Sequence, residues 1–563
     1  MKQVPVLIAG GGPVGMTLAK TLASFGIECM LVEKNPSTTR HPKMDITNSR
    51  SMELFRKLGV SKQLREVAVP EANNFDVSWI TSLSGHELHR FRYPSVEQAR
   101  AVIRERNDGS QPVEPAMRVS QVAIEPVLKR AIDAEPNVDV RFGVAFDDLV
   151  QDKDSVVATV RDAETGQTEK IKCQYLVGCD GGMSQVRTCL DIRYDGIARV
   201  AQLYMVHFRS DARDVLQPWG VAWHYQTSQA TMIAQNDRDI WTLHTFLPPD
   251  AQLSEIDPSA LVHRFAGRPF AFETLVANPW NPHLLVAESY GHGRVFLAGD
   301  SAHQFIPTGG YGMNTGIGDA FDIGWKLAAT LKGYAGPALL ESYDRERRPV
   351  GLRNCQAAWR HMSVRLAIGN AYEDLANSGD ARSGALAEAG GRIKGLGNAE
   401  NESYGIEMGY CYADSPVVVA EPHVDVPRDP ISYEPTTLPG ARLPNIYFAD
   451  GTPLHDKLGP WFSVLAFDGA STDHMAAAAA RRGVPLEILR VADPELAKIY
   501  QAKLVLVRPD QHVCWRGNAQ TDADQAEYLF MRALGWRSGG RGNNSRQSLL
   551  SLAHHGEHGE ASR

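Results

Sequence analysis

The stretch Val4–Glu33, VPVLIAGGGPVGMTLAKTLASFGIECMLVE, decides the fold. Val4–Ala9 is a short β-type apolar run. Gly10-Gly11-Gly12-Pro13-Val14-Gly15 interrupts it, and Met16–Ser24 then carries apolar residues at helical spacing. Cys29–Val32 is a second β-type run, closed by Glu33. Strand, glycine turn, helix, strand and terminal acid make a complete βαβ unit, the pattern that binds a dinucleotide. Gly10 permits the tight turn, Gly12 lets the backbone approach a pyrophosphate, and Gly15 lets the helix pack closely. With Pro13 they bring the helix N-terminus, its free N–H groups and about half a positive charge, to the phosphates. Glu33, with Lys34 beside it, stands where a ribose diol would donate its hydrogen bonds.

Working outward, the chain has 563 residues, 43% hydrophobic and 22% charged, which is ordinary globular composition and enough for several cores. Lys plus Arg is 58 against 66 Asp plus Glu, so the formal charge is −8. That balance argues against general nucleic-acid binding, which needs a basic face. No run of about 18 apolar residues is present, so no membrane span is expected. The seven cysteines are scattered and include no CxxC pair, which predicts reduced thiols in the cytoplasm and no zinc ribbon or other metal site.

The alternating, aromatic stretches Ala201–Phe208, Ala222–Ile233 and Ile240–Leu247 read as antiparallel strands. They interrupt α/β segments, so the nucleotide-binding domain is expected to be discontinuous: residues 1–75, 109–196 and 285–365. Residues 76–108 and 197–284 are expected to form a β-sheet substrate domain. A helical segment and linker should occupy 366–437, since residues 414–440 contain six prolines. A compact α/β module is expected over 438–536, with strands at 462–467, 503–507 and 512–515 and helices at 473–482 and 522–534. The Gly-, Ser-, Asn- and His-rich tail 537–563 is expected to be disordered.

Two further motifs carry chemistry. Arg294-Val-Phe-Leu-Ala-Gly-Asp300 ends a strand and is followed by Pro307-Thr-Gly-Gly-Tyr-Gly312-Met313-Asn314 and a helix. Asp300 can accept from a sugar hydroxyl or cap a helix. The glycines let backbone lie against a flat ring, and the helix N-terminus can stabilise negative charge on it. Cys179-Asp180-Gly-Gly-Met-Ser-Gln-Val-Arg187 follows an apolar run and also fits a capped turn.

Taken together, GGGPVG (10–15), DGGMSQVR (180–187) and GDSAHQFIPTGGYGMNTG (299–316) resemble, in order and type, the motifs of the class A flavoprotein monooxygenases, the aromatic hydroxylase family. RVSQ (118–121) resembles that family's flavin contact through Arg118 and Gln121. The resemblance covers residues 4–360 and implies an α/β fold: a Rossmann-like FAD-binding domain with an inserted antiparallel substrate sheet. It implies FAD as cofactor, NADH or NADPH as reductant, and hydroxylation of a phenolic or related aromatic substrate with O2 through a flavin 4a-hydroperoxide. Residues after the linker, including PGARLPN (439–445) and VRPD (507–510), resemble the thioredoxin-like C-terminal domain of the phenol hydroxylase branch. Phe467 leads into Asp468-Gly-Ala-Ser-Thr472 where redox cysteines would stand, so this module reads as redox-inert, for homodimerisation or for packing.

Asp45 falls where phenol hydroxylases place an active-site aspartate, and with His224 and Tyr225 it is a candidate catalytic group. A base near the substrate hydroxyl speeds such chemistry by ~10²–10⁴-fold. The competing reading of Asp45 is a solvated loop acid. Lys43 stands where the family often has arginine, and an ammonium lacks the bidentate fork. Two other functions use the same features: a flavin reductase or dehydrogenase without oxygen insertion, and a non-catalytic FAD-binding protein.

Overall fold

The computed structural model describes residues 1–378, 382–421 and 429–536; the expected disordered tail lies outside them. The opening motif forms a strand Lys2–Ala9, a helix Pro13–Ser24 and a strand Cys29–Glu33. These belong to a sheet ordered 291–292, 295–297, 168–178, 2–9, 29–33, 138–142. From 295–297 to 138–142 all neighbours are parallel. Parallel strands are covered on both faces, which is why Val6–Ala9 is continuously apolar and fully buried. The helix Tyr311–Leu331 packs against Pro13–Ser24. The carboxyl ends of the central strands share one edge, where Glu33, Gly10, Cys179 and Ala298 follow one another across the sheet. That edge is where open α/β sheets bind ligands.

A second sheet has the order 273–280, 203–209, 240–246, 230–234, 224–226, 77–80, 87–91. The stretch 222–233, read from sequence as one strand, is a hairpin: His224–Gln226 and Ala230–Ala234 flank a turn. The Thr227 hydroxyl oxygen accepts the N–H groups of Gln229 (3.2 Å) and Ala230 (3.0 Å), so side-chain turn chemistry overrides the apolar alternation. One face of this sheet packs Tyr204, Val206, Phe208, Tyr225 and Leu243 into a core of its own. The other face presents Leu203, Met205, His224, Thr231, Ile233 and His244 to the nucleotide-type sheet across a cleft.

The C-terminal module has the strand order 486–491, 462–467, 504–507, 513–517, the first pair parallel and the rest antiparallel. Its helices are Asp473–Arg481, Pro494–Tyr500 and Ala523–Ala533. The strand Leu486–Val491 escaped the sequence reading because only part of it is buried. Between module and nucleotide-type sheet lies a buried ionic network. The Arg442 Nε–H donates to Glu53 (2.8 Å), Arg50 donates to the Asp510 carbonyl (2.6 Å), and Arg508 makes a fork to Glu346 (2.6 and 2.9 Å). Asp322, Glu346 and Asp510 converge there, and Lys326 and Arg508 neutralise them. The module therefore packs on the rest of the chain through desolvated charges.

Burial alone would raise the Glu53 carboxyl, but the adjacent Arg442 guanidinium holds it far below the usual carboxylate range. A depressed pKa stabilises the fold above the unfolded value of ~4.3, and this contribution fades as pH falls. Removing one member of such a pair strands a buried charge at a cost of about 3–5 kcal/mol. Glu53→Gln is expected to lower the thermal midpoint by several degrees at pH 7 and by progressively less toward acid pH. Scanning calorimetry across pH measures this; an unchanged midpoint at pH 7 would contradict it.

Candidate active site

Between the two sheets lies a cavity of about 1770 Å³. Pockets for one drug-sized ligand are ~300–1,000 Å³, so this one has room for a dinucleotide and a second molecule. Gly10, Gly12, Pro13, Glu33, Lys34, Gln121, Asp180, Asp300, Pro307, Gly312 and Met313 all line it.

The first glycine turn meets the demands of a phosphate cradle. Gly10 has φ +111°, and a Cβ there would lie 2.2 Å from the Cys179 carbonyl oxygen. At Gly12 a Cβ would meet no protein atom within 4 Å and would project into open space beside the helix N-terminus. Gly15 is beneath the turn rather than on the wall; its Cβ would fall 2.0 Å from the Gly10 oxygen. Glu33 accepts the Gly11 N–H (2.7 Å) and the Asn35 N–H (2.9 Å), which pins the turn to the end of the second strand.

Asp300 caps nothing: its carboxylate accepts no hydrogen bond among the described residues and lines the cavity. Its depth pushes the carboxyl above its ordinary range, countered in part by His303. An acceptor-only group in that position fits a sugar hydroxyl. Asp180, in contrast, is engaged in its own turn, accepting Ser184 Oγ–H (2.5 Å) and the Val186 N–H (3.1 Å). Asn314 spends its side chain on backbone: Oδ1 accepts the Asn48 N–H (3.0 Å), and Nδ2 donates to the carbonyls of Ile46 (3.2 Å) and Gly310 (2.6 Å). It ties the segment 46–48 to the helix N-terminus. Arg118 is displaced from its expected role. It lies behind the wall, donates to the Ala234 carbonyl (2.7 Å) and stacks 5.6 Å from the Trp223 ring, whereas Gln121 remains on the wall.

Asp45 lies where the loop after the βαβ unit meets the second sheet. Its Oδ2 accepts Trp223 Nε1–H (2.7 Å) and pairs with His224 Nε2 (3.0 Å). Oδ1 accepts no hydrogen bond among the described residues. Gln226 Nε2 lies 3.5 Å from His224 Nδ1, and the other ring nitrogen, Nε2, faces Asp45. Burial pushes the Asp45 carboxyl up, but the His224 and Trp223 donors outweigh it and hold the group below its usual value. The solvated-loop reading of Asp45 does not match this geometry. Tyr225 is corrected: adjacent strand residues face opposite sides, and its ring points into the core behind the sheet, where its hydroxyl donates to the Gly220 carbonyl.

Sequence reasoning missed the opposite wall. Arg365, on the long helix Ala338–Ala376, makes a fork to Glu400 (3.2 and 2.9 Å) and reaches Thr231 Oγ1 (3.0 Å). Both charged residues line the cavity. No short motif marks either of them.

The comparisons agree with this geometry. A family model described as "FAD binding domain" matches residues 3–358, and one described as "Aromatic-ring hydroxylase, C-terminal" matches 436–536. The chain belongs to this family of FAD-dependent aromatic-ring hydroxylases. It is 37% identical to the FAD-dependent monooxygenase apdD of Emericella nidulans, over 96% of this chain and 91% of that protein. It is 30% identical to the tetracenomycin B2 monooxygenase-dioxygenase of Streptomyces olivaceus, over 93% and 97% respectively. Among solved structures it is similar to the flavin-dependent monooxygenase PieE in complex with FAD and substrate (TM-score 0.84, 29% identity, 94% of this chain and 99% of that one). The fold, the FAD cofactor and the monooxygenase class expected from the sequence are thereby borne out.

Gly12→Val should abolish FAD binding, because the side chain fills the space beside the helix N-terminus. Asp300→Ala should weaken it by roughly tenfold, the loss of one hydrogen bond to a charged acceptor. Flavin absorbance of the purified variants reads both; full FAD occupancy in Gly12→Val would overturn the cradle.

Proposed function

We propose that this enzyme hydroxylates a phenolic or closely related aromatic substrate held against Asp45, with NADH or NADPH as reductant. The observation that carries this reading is the Asp45 clasp: a carboxylate fixed by two donors on Oδ2, with Oδ1 left for a substrate hydroxyl. FAD, when bound and reduced, supplies the activated oxygen. Gly12, Glu33 and Asp300 would hold its phosphate and sugar groups, and the Gly312–Met313 backbone would lie along its ring. Asp45 accepts the hydroxyl hydrogen bond and so fixes which ring carbon faces the flavin. As the ring gives up electron density its hydroxyl becomes more acidic, and Asp45 takes the proton at Oδ1. A carboxylate held below its usual pKa is a weak base toward a resting phenol, so this transfer belongs to the reaction itself.

His224 keeps Asp45 charged, and Trp223 completes the clasp and excludes water. The seven cysteines form no disulfide, in keeping with our placement of the enzyme in the cytoplasm; no helix among the described residues is long and apolar enough to cross a membrane. The buried face of the C-terminal module is used within the chain, so a homodimer would be built on other surfaces.

Asp45→Asn should lower hydroxylation by about 10²–10⁴-fold with FAD binding intact, while NAD(P)H oxidation drains to hydrogen peroxide. Product per NAD(P)H across simple phenols measures it, and wild-type coupling would remove Asp45 from the chemistry. His224→Phe takes away a donor that lowers the Asp45 pKa. Asp45 should then protonate at higher pH, moving the acid limb of the rate profile upward; an unmoved limb would contradict the clasp.

A further inference from the structure

His244 stands in the cavity wall but takes no part in the clasp. Strand register puts Asn278, Met205, His244, Thr231 and Gln226 side by side in one row across the second sheet. His224 lies two residues along the strand from Gln226, so His244 is two strands across and two residues along from it, about 12 Å at ~4.8 Å per strand and ~3.4 Å per residue. No hydrogen bond reaches either ring nitrogen of His244 among the described residues, and its Nδ1 is buried without a partner. The Asn278 Oδ1 and Trp280 Nε1 are also buried and unpartnered, and Trp280 meets the His244 ring edge-on at 5.5 Å. All three residues line the cavity. Buried polar groups are ordinarily paired, and leaving one unpaired costs ~1–3 kcal/mol. Three together form a polar spot beside Leu203, Met205 and Phe246 in the cavity wall.

Burial pushes the His244 imidazole down to about 4, the charge of Asp45 offsetting this in part and the neighbouring His224, Arg365 and His207 adding to it. It is neutral at physiological pH and can exchange a hydrogen bond with an uncharged oxygen without recruiting a counter-ion.

Building on the reading of the cavity as an aromatic hydroxylation site, we propose that His244, flanked by Asn278 and Trp280, is a second substrate anchor. It receives a hydroxyl or carbonyl oxygen at the end of the substrate remote from Asp45. The substrate class it selects is an aromatic of at least two ring units with oxygen substituents at both ends, long enough to span the clasp and the anchor. A phenol with a single hydroxyl reaches only one of them.

The test compares 4,4′-dihydroxybiphenyl with 4-phenylphenol, which lacks the distal hydroxyl, as binders of the FAD-loaded oxidised enzyme, read by perturbation of the flavin spectrum. Wild type should bind the dihydroxy compound about tenfold more tightly, the value of one well-made hydrogen bond. His244→Phe keeps a ring against Trp280 and should bind both compounds within about twofold, with 4-phenylphenol affinity unchanged. His244→Gln restores a polar group and should regain part of the preference. Equal affinities in wild type, or a preference that survives in His244→Phe, would overturn the anchor alone. If neither biphenyl perturbs the flavin, the aromatic-site reading fails and the anchor with it.

Discussion

Two hydrogen bonds to one oxygen hold the halves of the site together. Asp45 arrives on the loop that leaves the βαβ unit, and Trp223 and His224 arrive at the second sheet. Their meeting fixes the distance between the glycine-turn edge of the first sheet and the cavity face of the second. Because both donors bind Oδ2, the carboxylate cannot rotate freely, and its other oxygen keeps one direction. The same donors hold it ionised against its burial. Position and charge of the acceptor thus have one cause, and neither survives if the second sheet shifts relative to the first.

That relative position is supported elsewhere by hydrogen bonds and by charge. Asn314 ties the loop end at residues 46–48 to the helix that would face the flavin ring. Arg365 and Glu400 connect the long helix to the second sheet on the far wall. Behind the site, Glu53 and Arg442 hold the C-terminal module against the segment that follows the loop. Buried ion pairs add little net stability compared with apolar packing, but each demands its partner, so they specify geometry. The module, redox-inert in sequence, serves here as a buttress.

The parts of the site that sequence disclosed are those whose chemistry is local. Gly10 and Gly15 each answer a contact made within a few residues or by one adjacent strand, and Gly12 leaves open space in the same turn, so their spacing alone was readable. Asp300 was readable as an acceptor but not distinguishable from a helix cap; only the structure shows its carboxylate without a partner. Tyr225 was misplaced because a three-residue strand gives too little alternation to fix its face, and Arg118 because an arginine's position does not say which way its long side chain runs. Arg365, Glu400 and His244 are brought in by tertiary packing from a helix, a turn and a strand remote in sequence. No local pattern could have grouped them.

The most direct measurement of the central claim is a single turnover of the photoreduced, FAD-loaded enzyme with a bound phenol under ¹⁸O2. One labelled oxygen atom should enter the ring of the product for each flavin reoxidised. Complete reoxidation with all the label recovered in hydrogen peroxide, for every phenol that binds, would contradict the account.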